Sequence, residues 1–197
     1  MTKMNLSAPL PFVGQKRMFA KEFIKVLDQF PDDTVFVDLF GGSGLLSHIT
    51  KRMKPTSTVV YNDFDNYRFR LAHIPHTNKL LADIRTLVGD SVPKHKAIKG
   101  KLRECVLKRI EEEEASVGYV DFITLSSSLM FSMKYKLSVE EMSKEVLYNN
   151  IRKNGYPESL DYLEGLEIVS CDYKEVYNQY KDVPGAVSYT HLRAHET

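Results

Sequence analysis

The chain has 197 residues, 43% of them hydrophobic and 27% charged, a composition typical of one globular domain or of one domain with a large insertion. Its formal net charge of +1 neither favours nor excludes a nucleic-acid partner, because opposite charges can be segregated along a chain. Cys105 and Cys171 lie far apart and form no Cys-x-x-Cys pair, which argues against a disulfide scaffold and a structural zinc site.

Targeting signals and metal-binding patterns are both missing from the sequence. No apolar run approaches the roughly 18–20 residues that cross a bilayer, and residues 1–14 lack the apolar core of a signal peptide. We therefore expect a cytoplasmic protein with no membrane partner. The histidines show no ligand spacing, so we expect no metal site; they include His48, His73, His76 and His95.

The first third of the chain alternates helix and strand signals. Apolar residues recur at helical spacing over residues 16–30, and a proline ends that helix. A β-rich run follows at 35–40, then a glycine turn, a predicted helix at 45–53 and a predicted strand at 58–61. A strand, turn, helix and second strand form a βαβ unit, so we expect an α/β fold with a parallel sheet between helices.

The middle of the chain, residues 85–165, is mostly helical by composition and strongly charge-patterned, with one strand candidate at 119–125. We interpret it as an insertion between sheet strands. Strand and helix signals resume at 166–170 and 174–180. The predicted organisation is a cofactor-binding half (1–84), a helical insertion (85–165) and a return to the sheet (166–186).

The last eleven residues, 187–197, read VSYTHLRAHET and do not continue this pattern. They look like the in-frame translation of a sequencing-library adaptor. We therefore expect a non-native tail, with the natural chain continuing past Ala186, and we exclude the tail from the predicted fold.

The strongest local feature is residues 36–44, FVDLFGGSG. Glycines after a strand let the backbone approach a ligand closely and tolerate positive φ. The helix that follows offers free N–H groups to a carboxylate or phosphate. About twenty residues further on, Asp63 ends the next strand, where a carboxylate can accept both ribose hydroxyls. The pattern favours a nucleoside-bearing cofactor.

Asp38 bears on which cofactor this is. A carboxylate beside the glycine turn would repel the pyrophosphate of a dinucleotide, whereas it would attract the ammonium and sulfonium of S-adenosylmethionine. Asp38 could instead cap a turn, and Asp63 could form a strand-ending Asx turn.

An aromatic ring, a glycine and a lysine precede the first helix, in residues 11–16, PFVGQK. Lys16 could reach a cofactor carboxylate, and Phe12 could pack against the cofactor. In isolation the segment is equally a loop with a lysine that starts a helix.

Taken in order, PFVGQK, FVDLFGGSG and YNDFD resemble the Dam-like (D12 class) adenine-specific DNA methyltransferases. The family's acidic-aromatic strand end is similar to Cys171-Asp172-Tyr173, where Asp172 would accept a hydrogen bond from the cofactor adenine or, alternatively, cap the next helix. The residues that the resemblance assigns to the cofactor are Phe12, Gly14, Lys16, Asp38, Phe40, Gly41, Gly42, Gly44, Asp63, Asp172 and Tyr173.

The resemblance implies a Rossmann-like S-adenosylmethionine-dependent methyltransferase fold, with an incomplete sheet and a mostly helical inserted domain for target recognition. It implies methyl transfer to N6 of adenine in double-stranded DNA without a metal or covalent intermediate. It also implies a bacterial or phage origin, a monomeric full-length form, and a companion restriction endonuclease as a further partner.

The family's catalytic Asp-Pro-Pro-Tyr motif does not occur in the sequence. Family spacing would place it after the 174–180 helix, so we assign no catalytic residue and expect weak cofactor binding without methyl transfer. Loss of the strand before that motif would leave residues 35–40 with an unpaired apolar edge, and the chain should then be poorly stable.

A basic cluster in the insertion is the predicted DNA-phosphate contact. It comprises Lys94, Lys96, Lys99, Lys101 and Arg103, followed by Lys108 and Arg109. The cluster could instead be one solvated helical face that Glu111–Glu114 balance. A second, weaker candidate contact comprises Lys134, Tyr135 and Lys136.

Three other functions stay open at this point. An NAD-type Rossmann oxidoreductase would explain the glycine turn and Asp63, but not Asp38 or residues 11–16. A non-catalytic DNA-binding module would use the insertion alone. An RNA or small-molecule methyltransferase is less favoured, because the order of motifs is that of the DNA enzymes.

Overall fold

The computed structural model describes residues 4–14, 16–131 and 135–189. The chain forms two compact units, named here the sheet unit (Met1–Leu71 with Ser159–Thr197) and the helical unit (Ala72–Glu158). Within the described ranges, no helix has both the length and the apolarity that crossing a membrane demands.

Helices and strands alternate at the two ends of the chain, and helices predominate between them. In chain order the elements are a 3-10 turn (Lys16–Met18), α1 (Ala20–Leu27), β1 (Val35–Asp38), α2 (Leu45–Met53), β2 (Val59–Asn62), α3 (Tyr67–Ala72), α4 (Ile74–Val88), a second 3-10 turn (Gly89–Ser91), β3 (Ala97–Ile98), α5 (Gly100–Val117), α6 (Phe122–Leu129), α7 (Val139–Ser143), β4 (Leu147–Tyr148), β5 (Glu167–Val169), α8 (Tyr173–Tyr180) and β6 (Ala186–Tyr189).

The sheet unit contains a four-stranded sheet in the order β5-β2-β1-β6, and all three neighbouring pairs are parallel. Phe36 of β1 lies opposite Val59 on one side and Val187 on the other. Parallel strands bring their carboxyl ends to one edge of a sheet, so the segments that follow β1, β2 and β5 meet there.

Successive residues of β1 serve two separate cores, because side chains alternate across a strand. Phe36 packs with Leu27 of α1 and Ile49 of α2 on one face of the sheet. Val37 packs with Val176 of α8 on the other face. Helices therefore cover both faces, as a parallel sheet requires, and the predicted α/β, Rossmann-like fold is confirmed.

The helical unit is built mainly on α4 and α5. Two carboxylates hold the Arg109 guanidinium of α5, Asp83 of α4 at 2.8 Å and Glu113 one turn further along α5 at 2.6 Å. The pKa of the Arg109 guanidinium is raised: burial opposes its charge, but hydrogen bonds to Glu113 and Asp83 outweigh that effect. A short antiparallel pair, β3 with β4, completes the unit.

Most of the predicted elements are confirmed, and one is wrong. The helix predicted at 45–53 is α2, and the strand predicted at 58–61 is β2, shifted by one residue. Residues 119–125, predicted as a strand, instead lead into helix α6, because the Asp121 side chain accepts a hydrogen bond from the Thr124 N–H at 3.0 Å and caps the helix.

The expectation that β1 has an unpaired edge is also wrong. Residues 186–189 form β6 and pair with β1 along its whole length, although 187–189 belong to the adaptor-like segment; 190–197 lie outside the described residues. Main-chain hydrogen bonds are indifferent to side-chain identity, and Val187 and Tyr189 supply apolar side chains to the α1–α2 core. The unpaired edge of β1 was the reason for expecting poor stability, and that reason no longer applies.

The two compact units divide the chain at positions other than those of the predicted organisation, whose functional halves stay a prediction. The helical unit covers 72–158, whereas the predicted insertion covers 85–165. The predicted start lies inside α4, which packs on α5 within the helical unit.

His48 of α2 connects distant segments of the sheet unit. Its Nε2 accepts a hydrogen bond from the Asn5 N–H at 3.1 Å, so its Nδ1 must carry the proton that is donated to the Tyr162 carbonyl at 2.7 Å. The ring also stacks on the Tyr162 ring, with centroids 4.5 Å apart. Burial lowers the pKa of His48 below its ordinary value of 6.5.

We predict that the free energy of unfolding falls as the pH drops below about 6.5, because the unfolded chain then binds a proton that folded His48 resists. Urea unfolding of the wild type and His48→Gln at about pH 8 and about pH 5.5 tests this. The variant should be less stable at the higher pH and should lose less stability on acidification. An equal loss in both proteins would contradict the assignment.

Candidate functional site

A cleft of about 340 Å³ opens at the carboxyl ends of β1, β2 and β5. Its wall is formed by the glycine turn after β1, the end of β2 with the turn that follows it, and the start of α8. The residues that line it are Leu39, Phe40, Gly41, Gly42, Asn62, Phe64, Asp65, Asp172 and Tyr173.

Asn62 lines the cleft and is 1% exposed. Its side-chain Nδ2 donates to the Leu39 carbonyl at 3.1 Å and to the Cys171 carbonyl at 3.0 Å. Its Oδ1 accepts from the Cys171 N–H at 3.2 Å. One amide at the end of β2 therefore holds the chain where it leaves β1 and where it leaves β5, and this fixes the position of the cleft walls.

The glycine turn lies directly on the Tyr61 side chain. A Cβ atom at Gly41 would overlap the Tyr61 ring and lie 2.9 Å from the Asn62 carbonyl oxygen. The Tyr61 hydroxyl is 2.7 Å from the Gly42 carbonyl, which accepts its hydrogen bond. Gly42 and Gly44 have φ values of 53° and 67°, which favour glycine. These glycines are therefore required by packing and backbone geometry before any ligand is considered.

The predicted N-terminal motif also reaches this turn. A Cβ atom at Gly42 would lie 3.0 Å from the Phe12 ring, so the ring rests against the turn. Tyr67 meets Phe12 edge-on at 5.7 Å, and the Arg70 guanidinium donates to the Pro11 carbonyl at 2.8 Å. Gly14 is exposed, has a φ of 74° and does not line the cleft.

Lys16 and Asp38 lie behind the cleft rather than in its wall. The Lys16 ammonium donates to the Phe40 carbonyl at 2.7 Å. Asp38 is buried, and its Oδ2 accepts from the Ser47 hydroxyl at 2.7 Å, while Oδ1 makes no hydrogen bond with the described residues. Burial raises the pKa of Asp38, and the nearby charge of Lys16 opposes that rise.

Asp63 is 3% exposed and is not among the residues that line the cleft. Its carboxylate accepts hydrogen bonds from the main-chain N–H groups of Tyr67 and Arg68, at 2.6 and 2.9 Å, at the start of α3. The Tyr61 hydroxyl lies 2.9 Å from the same carboxylate. Asp63 therefore caps the start of α3, which differs from the strand-ending Asx turn that the sequence offered as its alternative role.

Asp172 and Tyr173 lie in the cleft wall, as expected from the resemblance. The Asp172 carboxylate also accepts from the Lys174 N–H at 2.8 Å, so it both caps α8 and faces the cleft. The Tyr173 ring packs on the Phe40 ring, with centroids 4.9 Å apart and planes inclined by 35°. The two rings give one side of the cleft an aromatic surface.

The structure thus separates the predicted cofactor residues into two groups. Those in the cleft wall are Phe40, Gly41, Gly42, Asp172 and Tyr173. Those that support the wall or lie apart from it are Phe12, Gly14, Lys16, Asp38, Gly44 and Asp63. Of Asp38, Gly42 and Asp63, only Gly42 lines the cleft, because both carboxylates are buried and accept hydrogen bonds within the protein.

Sequence reasoning missed three lining residues, Asn62, Phe64 and Asp65. Phe64 is 69% exposed although it is large and apolar. The sequence carries a signal for Phe64, because it stands between two aspartates just after an apolar strand. A ring flanked by charged residues in this way is not expected to pack in the core.

The basic cluster occupies the helical unit and is only partly available to a partner. Lys94, Lys96, Lys99 and Lys101 are exposed and make no ion pair with the described residues. The Arg103 guanidinium donates to the main-chain carbonyls of Ser143 and Glu145.

Other basic residues near this cluster are engaged within the same unit. Arg109 is held by Asp83 and Glu113, Lys108 lies 3.7 Å from Glu112, and Lys136 pairs with Glu145 at 2.7 Å. Lys134 of the second candidate contact lies outside the described residues.

A parallel sheet covered on both faces, a glycine turn after β1 and a cleft at the strand ends define the class of Rossmann-like nucleotide- and nucleoside-binding domains. Residues 12–145 match the family described as D12 class N6 adenine-specific DNA methyltransferase, and the chain belongs to that family.

A Haemophilus influenzae protein with the provisional name of a methyltransferase is 38% identical to the chain over 179 residues. The match covers 89% of the chain and 60% of the relative, so the chain spans less than two thirds of that protein. No solved structure matches the chain significantly.

We predict that Gly41→Ala lowers the free energy of unfolding by about 1–3 kcal/mol, because the added methyl group overlaps the Tyr61 ring in a packed site. Gly118→Ala is the control: its φ is 73° but an added methyl group meets no atom within 4 Å, so about 1 kcal/mol is expected from backbone strain. Urea unfolding measures both. A loss for Gly41→Ala no larger than the control's would contradict the packing role.

Proposed function

We propose that the cleft binds S-adenosylmethionine and that the whole protein transfers its methyl group to N6 of adenine in double-stranded DNA. The observation that carries the proposal is the charge of the cleft wall. Among the described residues that line it, there are two carboxylates, Asp65 and Asp172, and no lysine or arginine. Such a wall attracts a sulfonium and an ammonium and repels a pyrophosphate, which favours S-adenosylmethionine over NAD.

The size and surface of the cleft support the same ligand. A volume of about 340 Å³ lies within the range of small-molecule sites. Phe64 and the Phe40–Tyr173 pair, all in the cleft wall, offer apolar faces to a planar adenine. Asp172, beside Tyr173, would accept a hydrogen bond from the exocyclic amine of that adenine.

The remaining predicted cofactor residues would act from behind the wall. The Phe12 ring rests against Gly42, and Lys16 donates to the Phe40 carbonyl, so both keep the glycine turn in place. Buried Asp38 adds negative charge to this end of the sheet when it is ionised. We propose these three as supports of the cofactor site rather than as direct contacts.

When bound, S-adenosylmethionine supplies an electrophilic methyl group. The adenine N6 lone pair is delocalised into the ring and is a poor nucleophile, so transfer needs acceptors for the amine protons and a base swung out of the duplex. The chain contains no Asp-Pro-Pro-Tyr motif to provide them. We therefore propose cofactor and DNA binding for this chain and assign no catalytic residue in it.

For the helical unit we propose contact with DNA through Lys94, Lys96, Lys99 and Lys101. Their exposure and the lack of ion pairs among the described residues support this, since each ammonium can replace a counterion on a phosphate. Arg103 would contribute only if it released its two carbonyl acceptors.

The proposal extends to the setting of the whole protein. We propose that it is encoded by a bacterium or a phage, acts in the cytoplasm and is monomeric at full length. A restriction endonuclease would be its companion.

We predict that the purified chain binds S-adenosylhomocysteine more tightly than NAD in isothermal titration. Phe64→Ala should weaken S-adenosylhomocysteine binding by about 1–3 kcal/mol, because the adenine loses a stacking face. Phe19→Ala, which removes an exposed ring that does not line the cleft, should leave the affinity unchanged. Tighter binding of NAD would favour an oxidoreductase and overturn the proposal.

We predict that Lys99→Ala with Lys101→Ala weakens binding to duplex DNA and lowers the slope of log K against log salt by about 2. The matched control replaces Lys79 and Lys144, exposed lysines of the same unit that pair with Asp83 and Glu140. Fluorescence anisotropy over a range of salt concentrations measures both. Equal slopes for the two double variants would show that the cluster is a solvated face.

A further inference from the structure

A loop after β4, residues 152–156, is tied to helix α4 at both of its ends. The Asn78 side chain of α4 holds the far end: its Oδ1 accepts from the Tyr156 N–H at 2.7 Å, and its Nδ2 donates to the Tyr156 carbonyl at 2.8 Å. Two turns further along α4, the Arg85 guanidinium donates from Nε to the Arg152 carbonyl at 3.0 Å. The backbone of this loop is therefore fixed to a helix of its own unit.

The Arg152 side chain is presented to solvent from this fixed loop. It is exposed, and its guanidinium forms no ion pair or hydrogen bond with the described residues. The guanidinium lies over the Tyr156 ring, 4.4 Å from the ring centroid, and Tyr156 is 6% exposed. Because stacking on the ring occupies the flat face of the guanidinium, the N–H groups on its edge are left for a ligand.

The loop lies beside part of the basic cluster. Next to the β3–β4 pair, the His95 N–H donates to the Asn149 carbonyl at 2.8 Å, and the Asn149 N–H donates to the Lys96 carbonyl at 2.9 Å. Arg152 is three residues beyond Asn149, so their Cα atoms are at most about 11 Å apart. Lys94 and Lys96 are exposed. A guanidinium and two ammoniums are therefore close enough to meet one duplex.

We propose that Arg152 reads a guanine in the DNA sequence that the protein recognises. The assignment rests on the proposed contact of the helical unit with DNA. An arginine offers two parallel N–H donors, which match the O6 and N7 acceptors of guanine in the major groove. The neighbouring lysines supply charge for phosphates, which carry no sequence information, whereas a donor pair fixed in direction distinguishes one base from another.

The test uses the full chain and a randomised pool of DNA duplexes, from which rounds of binding select a sequence. The selected duplex is then made with 7-deazaguanine at one guanine at a time, which replaces the N7 acceptor by a C–H group and leaves every phosphate in place. At one position the wild type should bind about five- to hundredfold more weakly, as expected for a bidentate arginine–guanine contact. Arg152→Ala should bind that duplex and the unmodified one equally in fluorescence anisotropy.

Lys153→Ala is the matched control, because Lys153 is exposed next to Arg152 and the variant also loses one positive charge. It should weaken binding to both duplexes by the same factor and keep the wild-type sensitivity to 7-deazaguanine. Neither variant should change the melting temperature, since both side chains are exposed.

The outcomes separate the two proposals. The Arg152 assignment is overturned, and the DNA contact stands, if the wild type binds duplexes without selecting a sequence or without sensitivity to any 7-deazaguanine. The same conclusion follows if Arg152→Ala is as sensitive as the wild type at every guanine. If the wild type binds no duplex, the proposed DNA contact fails, and the assignment fails with it.

Discussion

The cleft depends on one buried amide. Asn62 ends β2, which lies between β1 and β5 in the sheet. Its carboxamide forms hydrogen bonds with Leu39, just after β1, and with Cys171, just after β5. A main-chain ladder cannot make these bonds, because the chain is already leaving the sheet at both points. An amide can, because it both donates and accepts, whereas a carboxylate would bring uncompensated charge to a buried position.

A second network of hydrogen bonds links the glycine turn after β1 to the start of helix α3. The Tyr61 hydroxyl connects the Gly42 carbonyl to the Asp63 carboxylate, which in turn caps α3. The glycine turn, the acid after β2 and the first turn of α3 therefore share one set of hydrogen bonds. Some residues that the family resemblance assigns to the cofactor, such as Asp63, therefore support the cleft wall instead of lining it.

Sequence reasoning located the fold and the site because both are marked by strong local signals. The glycine turn after an apolar strand predicted β1 and α2, and the acidic-aromatic pair at 172–173 predicted the far wall of the cleft. It missed α6, where the Asp121 cap outweighs the strand-like composition. It could not show that Asp63 lies outside the cleft wall, because residue type and spacing do not reveal that main-chain N–H groups already hold its carboxylate.

Two of the four arginines of the helical unit belong to the basic cluster, which has a consequence for the proposed contact with a duplex. Arg103 and Arg109 are directed at carbonyls and carboxylates of the unit itself, so the exposed basic groups of this cluster are ammoniums. An ammonium is a point charge without the flat fork that matches the edge of a guanine. A surface of this kind grips the sugar-phosphate chain in many registers of nearly equal energy, which suits sliding along a genome in search of a site. Choosing the site must then fall to side chains other than these lysines.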